Sequence, residues 1–434
     1  MTVASNRRAA LSRTFSLAAI GALIATPAMA IFLATNLANA GNLAFNMIFS
    51  RLLTPSQFHD LAVVLTLMLG VMSVLGAAQM AVSQMAARGL GQEPTLAALP
   101  RLNLIFFGIL CLMVPFLVPA SMSNSVTGAL GIESGALLPV LLFALPVTAP
   151  LSLARGAALG IVSVRGMVLS ANLEMIVRLI GAIVAWQLGL GMAGISGALV
   201  LSVIAGWLPV RGAIRKSIGP KSAPAPLSPL LKRLLLLCWP FALLQLAQVG
   251  HLDVDLLISA SVLSKSDAGL VAGLSLIQRL QFFACFGLAG ILLPTVTAAA
   301  RDGRPVLRPA MPVFALVLGT GAALFVAAIL IPEQVVTLIA GPAYAGAAPQ
   351  LLFSVSAAFA FTGSYLLATM LAALGDRRGV ALVVIALPIS VTALWIGGQS
   401  GGLNGMIGTK AIAQLILLVG SLLLTSRVLV KRAS

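Results

Sequence analysis

The sequence predicts an all-α, polytopic membrane protein with about twelve transmembrane helices in two parallel six-helix halves. Three observations predict it. First, of 434 residues 60% are hydrophobic and only 8% are charged. A soluble domain carries about 25% charged residues, so this chain cannot build a water-facing surface and a soluble enzyme is excluded. Second, the apolar residues run in continuous stretches rather than alternating, which excludes a β-barrel. Third, the basic residues are distributed asymmetrically between successive polar breaks.

Those breaks leave apolar stretches at 17–49, 61–86, 102–120, 136–160, 167–188, 193–210, 234–261, 268–299, 310–331, 346–374, 379–397 and 403–425. The first imitates a signal peptide. Arg7, Arg8 and Arg13 precede an apolar run, and Ala28-Met29-Ala30 fits a small-x-small cleavage pattern. The run continues uncharged to Ser50, however, and cleavage would invert every later loop, so the segment is expected to be retained as the first helix. Pro27 is a potential kink in it.

With the N-terminus inside, most of the 26 Lys and Arg fall in cytoplasmic segments: Arg88 and Arg101, Arg155 and Arg165, the cluster from Arg211 to Arg233, Arg301 to Arg308, Arg377 and Arg378, and Arg427 to Arg432. The outside segments keep only Arg51 and Lys265, which predicts that both termini are cytoplasmic. The net charge of +16 is then a feature of cytoplasmic loops, not of nucleic-acid binding. The Pro-, Ser- and Lys/Arg-rich break at Arg211–Arg233 reads as a linker, dividing the chain into halves 1–220 and 221–434. Cys111, Cys238 and Cys285 lie in apolar stretches and read as free hydrophobes. The two histidines are too far apart to suggest a metal site.

The halves carry an internal repeat. Asn36-Leu37-Ala38-Asn39-Ala40-Gly41-Asn42-Leu43 aligns with Gln245-Leu246-Ala247-Gln248-Val249-Gly250-His251-Leu252, and after one inserted residue Leu53-Thr54-Pro55-Ser56-Gln57 aligns with Leu263-Ser264-Lys265-Ser266-Asp267. The copies lie six stretches apart, an even offset, so the halves run in the same direction, and parallel repeats of this kind place a transporter's substrate site at the midplane between halves.

Several motifs resemble the polysaccharide-exporter branch, the Wzx-type flippases, of the multidrug/oligosaccharidyl-lipid/polysaccharide (MOP) exporter superfamily. They are Arg51-Leu52-Leu53-Thr54-Pro55; Arg155-Gly156 through Gly160 to Glu174 and Arg178-Leu179, closing at Gly191-Met192-Ala193-Gly194; Asp255 ahead of Asp267-Ala268-Gly269; and Gly341-Pro342-Ala343-Tyr344-Ala345 before a helix ending at Leu374-Gly375. The chain departs from the family pattern at His59, where glycine is usual, and after Gly269, where the usual Tyr is missing. The resemblance implies a MATE/MOP-like fold in a bacterial inner membrane. It implies translocation of an undecaprenyl-diphosphate-linked oligosaccharide to the periplasmic leaflet, for lipopolysaccharide or exopolysaccharide biosynthesis. The partners implied are that glycolipid, the surrounding membrane lipid and, transiently, polysaccharide polymerase machinery.

Ionisable groups inside helices cost about 2.5–3.5 kcal/mol each on insertion, so each is a candidate site residue. Glu174 and Arg178 share a helix face and either fix packing as an ion pair or line a cavity. Arg279 has no acidic neighbour in sequence and needs a cavity or a distant carboxylate; its planar fork of donors suits a diphosphate. Lys410 either contacts substrate or snorkels to the outer interface. In the seventh stretch Gln248, His251 and Asp255 share a stripe from which Asp253 points away. Asp255 reads as the H+ or Na+ coupling site tuned by His251, or the stripe is a polar core, and Asp253 is free to pair with Arg279 or Lys410. Asn39, Asn42 and Asn46 share a face of the first stretch, facing the seventh, and suit sugar hydroxyls or interhelical hydrogen bonds. The candidate substrate contacts are therefore Arg178, Arg279, Lys410, Asn39, Asn42, Asn46 and Gln248, and the candidate ion-coupling groups are Asp255, His251, Asp253 and Glu174.

No cofactor or metal is expected. A polymerase or ligase would need a large outer loop, and the outside segments offer little beyond Glu133, Glu333, His59 and Asp60. The alternative function is a cation-coupled multidrug exporter of the same superfamily.

Overall fold

The computed structural model describes residues 27–87, 94–218, 225–301 and 304–433, which form helices and connecting turns without a strand. The N-terminal half contains α1 (Pro27–Leu52), α2 (Pro55–Ala86), α3 (Leu99–Ser121), α4 (Asn124–Leu130), α5 (Leu137–Leu142), α6 (Leu145–Gly160), α7 (Val164–Gln187), α8 (Gly191–Trp207) and α9 (Ala213–Ile218). The C-terminal half contains α10 (Leu227–Val262), α11 (Lys265–Arg301), α12 (Leu307–Leu330), α13 (Pro332–Ile339), α14 (Leu351–Ala373) and α15 (Arg378–Ala433). The basic run Arg7, Arg8 and Arg13, Arg88, and the 220/221 division lie outside the described residues.

Within the described residues each expected apolar stretch falls in a helix or its flanking turn. Among the described residues seven helices are long and apolar enough to cross a membrane, or eight with α10, which bends by 42° between Trp239 and Ala242. Pro240 sits at that bend, where a helix loses one backbone donor. Large apolar side chains cover the outer surface: Leu112 is 71% exposed, Phe116 78% and Ile416 67%. A belt of that kind is a lipid-facing surface rather than a water-facing one.

The expected helix at 136–160 is broken into α5 and α6. Pro146 lacks an N–H and clashes with the preceding turn, so Phe143 and Ala144 close tighter turns onto Val140 and Leu141 instead. The last two expected helices run together as α15, with a break at Gly402, whose φ of +57° is open to glycine and strained for other residues.

The repeat has a structural counterpart. Thr54 caps α2 by accepting the Gln57 amide at 3.3 Å, and Ser264, its aligned equivalent, accepts the amide of Asp267 at 3.2 Å. Gly41 of α1 lies against Met175 of α7, and the aligned Gly250 of α10 lies against Leu387 of α15. A Cβ at Gly41 would come within 2.3 Å of Met175 Sδ, and one at Gly250 within 2.6 Å of Leu387 Cδ1, so each glycine marks where two helices cross closely.

Helix α1 packs on α7, α2 on α6, α10 on α15 and α11 on α14, while α2 crosses between halves to meet both α10 and α11. One buried apolar cluster joins the halves, with Phe45, Phe49 and Phe58 against Leu256, Ile277 and Tyr344. Towards the other end one buried cluster surrounds α2, α3 and α6 and takes in Leu230 and Leu234 from the start of α10, and another surrounds α11, α12 and α14. The shared cluster closes the halves at one end, and a space bounded by helices of both lies deeper in.

Candidate functional site: a cavity between the halves

That space is a cavity of about 400 Å³ bounded by α1, α2, α7 and α11. Asn39, Asn42, Asn46, Glu174, Arg178 and Arg279 supply its polar wall, and Leu65, Met68, Met72 and Phe283 much of the apolar remainder.

Arg178 Nη2 donates to Glu174 Oε1 at 2.6 Å along α7, and Arg178 Nη1 donates to Asn42 Oδ1 of α1 at 2.8 Å. The other oxygen of Glu174 accepts from Arg155 Nη2 at 2.7 Å. Arg155 also donates to Ser170, whose hydroxyl donates to the Gly206 carbonyl. This corrects the assignment of Arg155 to a cytoplasmic loop: it lies inside α6 and is largely buried. Gly156 permits that placement, since a Cβ there would meet the Gln79 carbonyl of α2 at 2.5 Å. One carboxylate thus holds two guanidiniums, and the cluster keeps a net positive charge. Asn46 donates to the Asn42 carbonyl, while Asn46 Oδ1 and Arg178 Nε have no protein partner.

Arg279 closes the opposite wall and meets both conditions set for it. It lines the cavity, and its Nε donates to Asp253 Oδ1 at 2.8 Å. Its Nη2 donates to Thr66 of α2 at 2.7 Å, a bond between the halves. Charge-assisted bonds of this kind are the strong ones inside a protein, so Arg279 is both a wall of the cavity and a strut across it.

The seventh-stretch stripe and Lys410 do not line this cavity, which corrects the expectation that they share one site with Arg178 and Arg279 and that the stripe faces Asn39, Asn42 and Asn46. They form a separate polar core within the C-terminal half. Residues two apart on a helix point about 200° apart, so Asp253 reaches Arg279 while Asp255 turns to the other side. There it accepts from Lys410 Nζ at 2.7 Å. Lys410 is 2% exposed and does not snorkel. His251 donates from Nε2 to the Val383 carbonyl at 2.9 Å and accepts at Nδ1 from Gln414 Nε2 at 2.9 Å. A carbonyl only accepts, so these bonds suit a neutral imidazole with its proton on Nε2. The ring also stacks on Phe361. Gln248 is buried, and its Oε1 has no protein partner. Sequence reasoning missed Arg155, Thr66, Gln278 and Gln414. Gln278 adjoins Arg279, and Gln414 follows Lys410 by one turn, so a search for amides beside intramembrane charges would have found both.

The closed end is held by contacts across the halves. His59 Nε2 lies 3.3 Å from the Leu256 carbonyl and 3.2 Å from Ser259 Oγ. Glu133 is bonded to Lys265, and Arg51 donates to the carbonyls of Leu338 and Ile339 at the end of α13. Gly131 abuts Ala260. Asp60 keeps the 131–136 turn in place by accepting the Glu133 and Ser134 amides at 3.1 and 2.8 Å.

No protein-family model and no curated protein matches the chain. Solved structures do match over nearly its whole length. An inward-facing multidrug resistance MATE family transporter of the MOP superfamily is 17% identical with a TM-score of 0.70, over 93% of this chain and 98% of that one. A MATE transporter from Vibrio cholerae is 15% identical with a TM-score of 0.65, over 92% and 96%. A MOP superfamily transporter from Pyrococcus furiosus, described as having a binding pocket of reversed polarity that suggests a different function, is 14% identical with a TM-score of 0.66, over 95% and 98%. At these identities the likeness is one of architecture, and the chain has the fold of MATE transporters of the MOP superfamily.

Proposed function

We propose that the chain exports an anionic, diphosphate-linked glycolipid across a bacterial inner membrane by alternating access. The cargo would be an undecaprenyl-diphosphate-linked oligosaccharide, moved to the periplasmic leaflet for polysaccharide biosynthesis. The carrying observation is the charge of the cavity: Arg178 and Arg279 line it with one carboxylate, Glu174, and the ion pairs behind that wall add one charge of each sign, Arg155 and Asp253. Guanidinium forks match phosphate oxygens geometrically, and the amides of Asn39, Asn42 and Asn46 offer hydrogen bonds to sugar hydroxyls. In the topology expected from the basic loops, Arg51, Glu133 and Lys265 are outside, so the cavity faces the cytoplasm. Basic loops there attract the headgroup, the prenyl chain stays in lipid, and rocking of the halves about α1 and α10 exchanges access. Handover to a polymerase follows on the periplasmic side. Of the groups named for H+ or Na+ coupling, Glu174 borders the cavity, while Asp253, Asp255 and His251 are engaged elsewhere.

A second reading, a cation-coupled multidrug exporter, draws on the shared fold and on the apolar wall of Leu65, Met68, Met72 and Phe283, which suits an amphipathic drug. The excess of guanidiniums argues against it for cationic drugs. Arg178→Gln separates the two, because it keeps hydrogen-bonding capacity and removes the charge. We expect export of the glycan in cells to fall at least tenfold at unchanged protein level. Full export by that variant would remove Arg178 from the mechanism.

A further inference from the structure

The geometry points to Lys410 as a tethered cation: its ammonium fills an oxygen cage in the C-terminal half that would otherwise bind a sodium ion. Three oxygens surround Nζ, namely the Leu252 carbonyl at 2.7 Å, Asp255 Oδ2 at 2.7 Å and Gln278 Oε1 at 2.5 Å. They come from α10 and α11, whereas Lys410 arrives from α15. Remove the lysine, and a backbone carbonyl, a carboxylate and an amide oxygen converge on one point, with no nitrogen or sulfur ligand. Hard cations take oxygen donors of this kind. One negative charge among three ligands suits a monovalent ion, since a single carboxylate neutralises it.

Two features fit these oxygens to a bare ion. Gln278 Nε2 donates to Ser354 Oγ of α14 at 2.9 Å, which fixes the amide so that its oxygen faces the cage. Asp255 Oδ1 is buried with no partner, so the carboxylate uses one of its two oxygens on Lys410. A bare ion, smaller than an ammonium and not limited to three N–H directions, would engage that second oxygen as well. Asp255, Gln278 and Lys410 are each no more than 2% exposed, so the cage is closed to solvent.

The consequence concerns energy coupling. With the ammonium covalently attached, the charge of Asp255 is balanced at every sodium concentration, and sodium has no vacancy to enter. The inference does not depend on the cargo, because its test reads ion binding rather than transport. It goes beyond the reading of Asp255 as a coupling-ion site by naming what occupies it.

The test uses the full-length protein in detergent at constant ionic strength, with sodium exchanged for N-methyl-D-glucamine. The wild type should show the same Tm in both salts and bind no radioactive sodium. Lys410→Ala should have a lower Tm in N-methyl-D-glucamine, regain stability progressively as sodium rises, and bind about one sodium per chain, as expected for a ligand of the native state. The double variant Lys410→Ala/Asp255→Asn, in which no charge is left unbalanced, should fold and show no sodium response. A Lys410→Ala protein indifferent to sodium would overturn the cage. Sodium bound by the wild type and lost in Asp255→Asn would overturn the stand-in, and that arm needs no Lys410 variant to fold.

Discussion

Glu174→Gln is expected to lower thermal stability more than any single change on the N-terminal side of the cavity. Glu174 bonds Arg155 through one oxygen and Arg178 through the other, and all three side chains are less than 15% exposed. Removing one member of a buried ion pair leaves an uncompensated charge and costs about 3–5 kcal/mol. Here two guanidiniums from α6 and α7 would be left facing each other. The arrangement also ties α6, α7 and α8 together through Ser170 and the Gly206 carbonyl, so the loss should propagate to all three. Thermal unfolding of purified protein measures it. Arg155→Gln/Glu174→Gln, which removes one charge of each sign and leaves the net charge of the cluster unchanged, should recover much of the loss. If Glu174→Gln unfolds at the wild-type temperature, the cluster is not holding these helices together.

The second large effect is expected at the closed end. An ideal Cβ on Gly131 would lie 2.1 Å from Ala260 Cβ, so the 131–136 turn and α10 touch with no spare room. Ala260→Leu places a larger side chain in that contact without asking a residue to adopt positive φ, as Gly131 does at +64°. Overpacking of this size costs about 1–3 kcal/mol, which is roughly a five- to 150-fold shift towards separation of the halves at this end. Spin labels at Ala136 and Ser266, with the three native cysteines replaced, read the separation as a longer distance. An unchanged distance distribution in a folded Ala260→Leu protein would mean that this contact does not set the state.

The Glu133–Lys265 tie at the same end acts in the same direction but more weakly. Its hydrogen bond to Lys265, with the charge of that ammonium, holds the Glu133 carboxyl below its ordinary pKa. A depressed carboxyl contributes above its ordinary pKa and loses that contribution as pH falls through the lowered value. Acid should therefore loosen this end, and salt should do so at neutral pH because the pair is exposed.

The sequence was informative where a single helix sufficed to decide. The shared face of Glu174 and Arg178 and the divergence of Asp253 from Asp255 follow from the period of one helix, and the structure has both. The repeat located Gly41 and Gly250, which turn out to be equivalent crossing points. What was not legible depends on which helix stands opposite. Lys410 was equally compatible with a cavity, an interface or a buried carboxylate, and only the approach of α15 to α10 selects Asp255. Arg155 counted as a loop charge because it lies near a helix end, whereas the close crossing of α6 and α2 at Gly156 carries it inward to Glu174. The His59 departure from the family pattern had no reading in one dimension, yet it supplies a bond between the halves.

The central claim is that the cavity between the halves is cationic and receives an anionic diphosphate. Binding to the purified protein tests it most directly, with undecaprenyl diphosphate and the cationic dye ethidium as separate ligands. The account predicts saturable binding of the diphosphate lipid that weakens in Arg178→Gln, and no competition from ethidium. Saturable ethidium binding, with no measurable affinity for the diphosphate lipid, would contradict it.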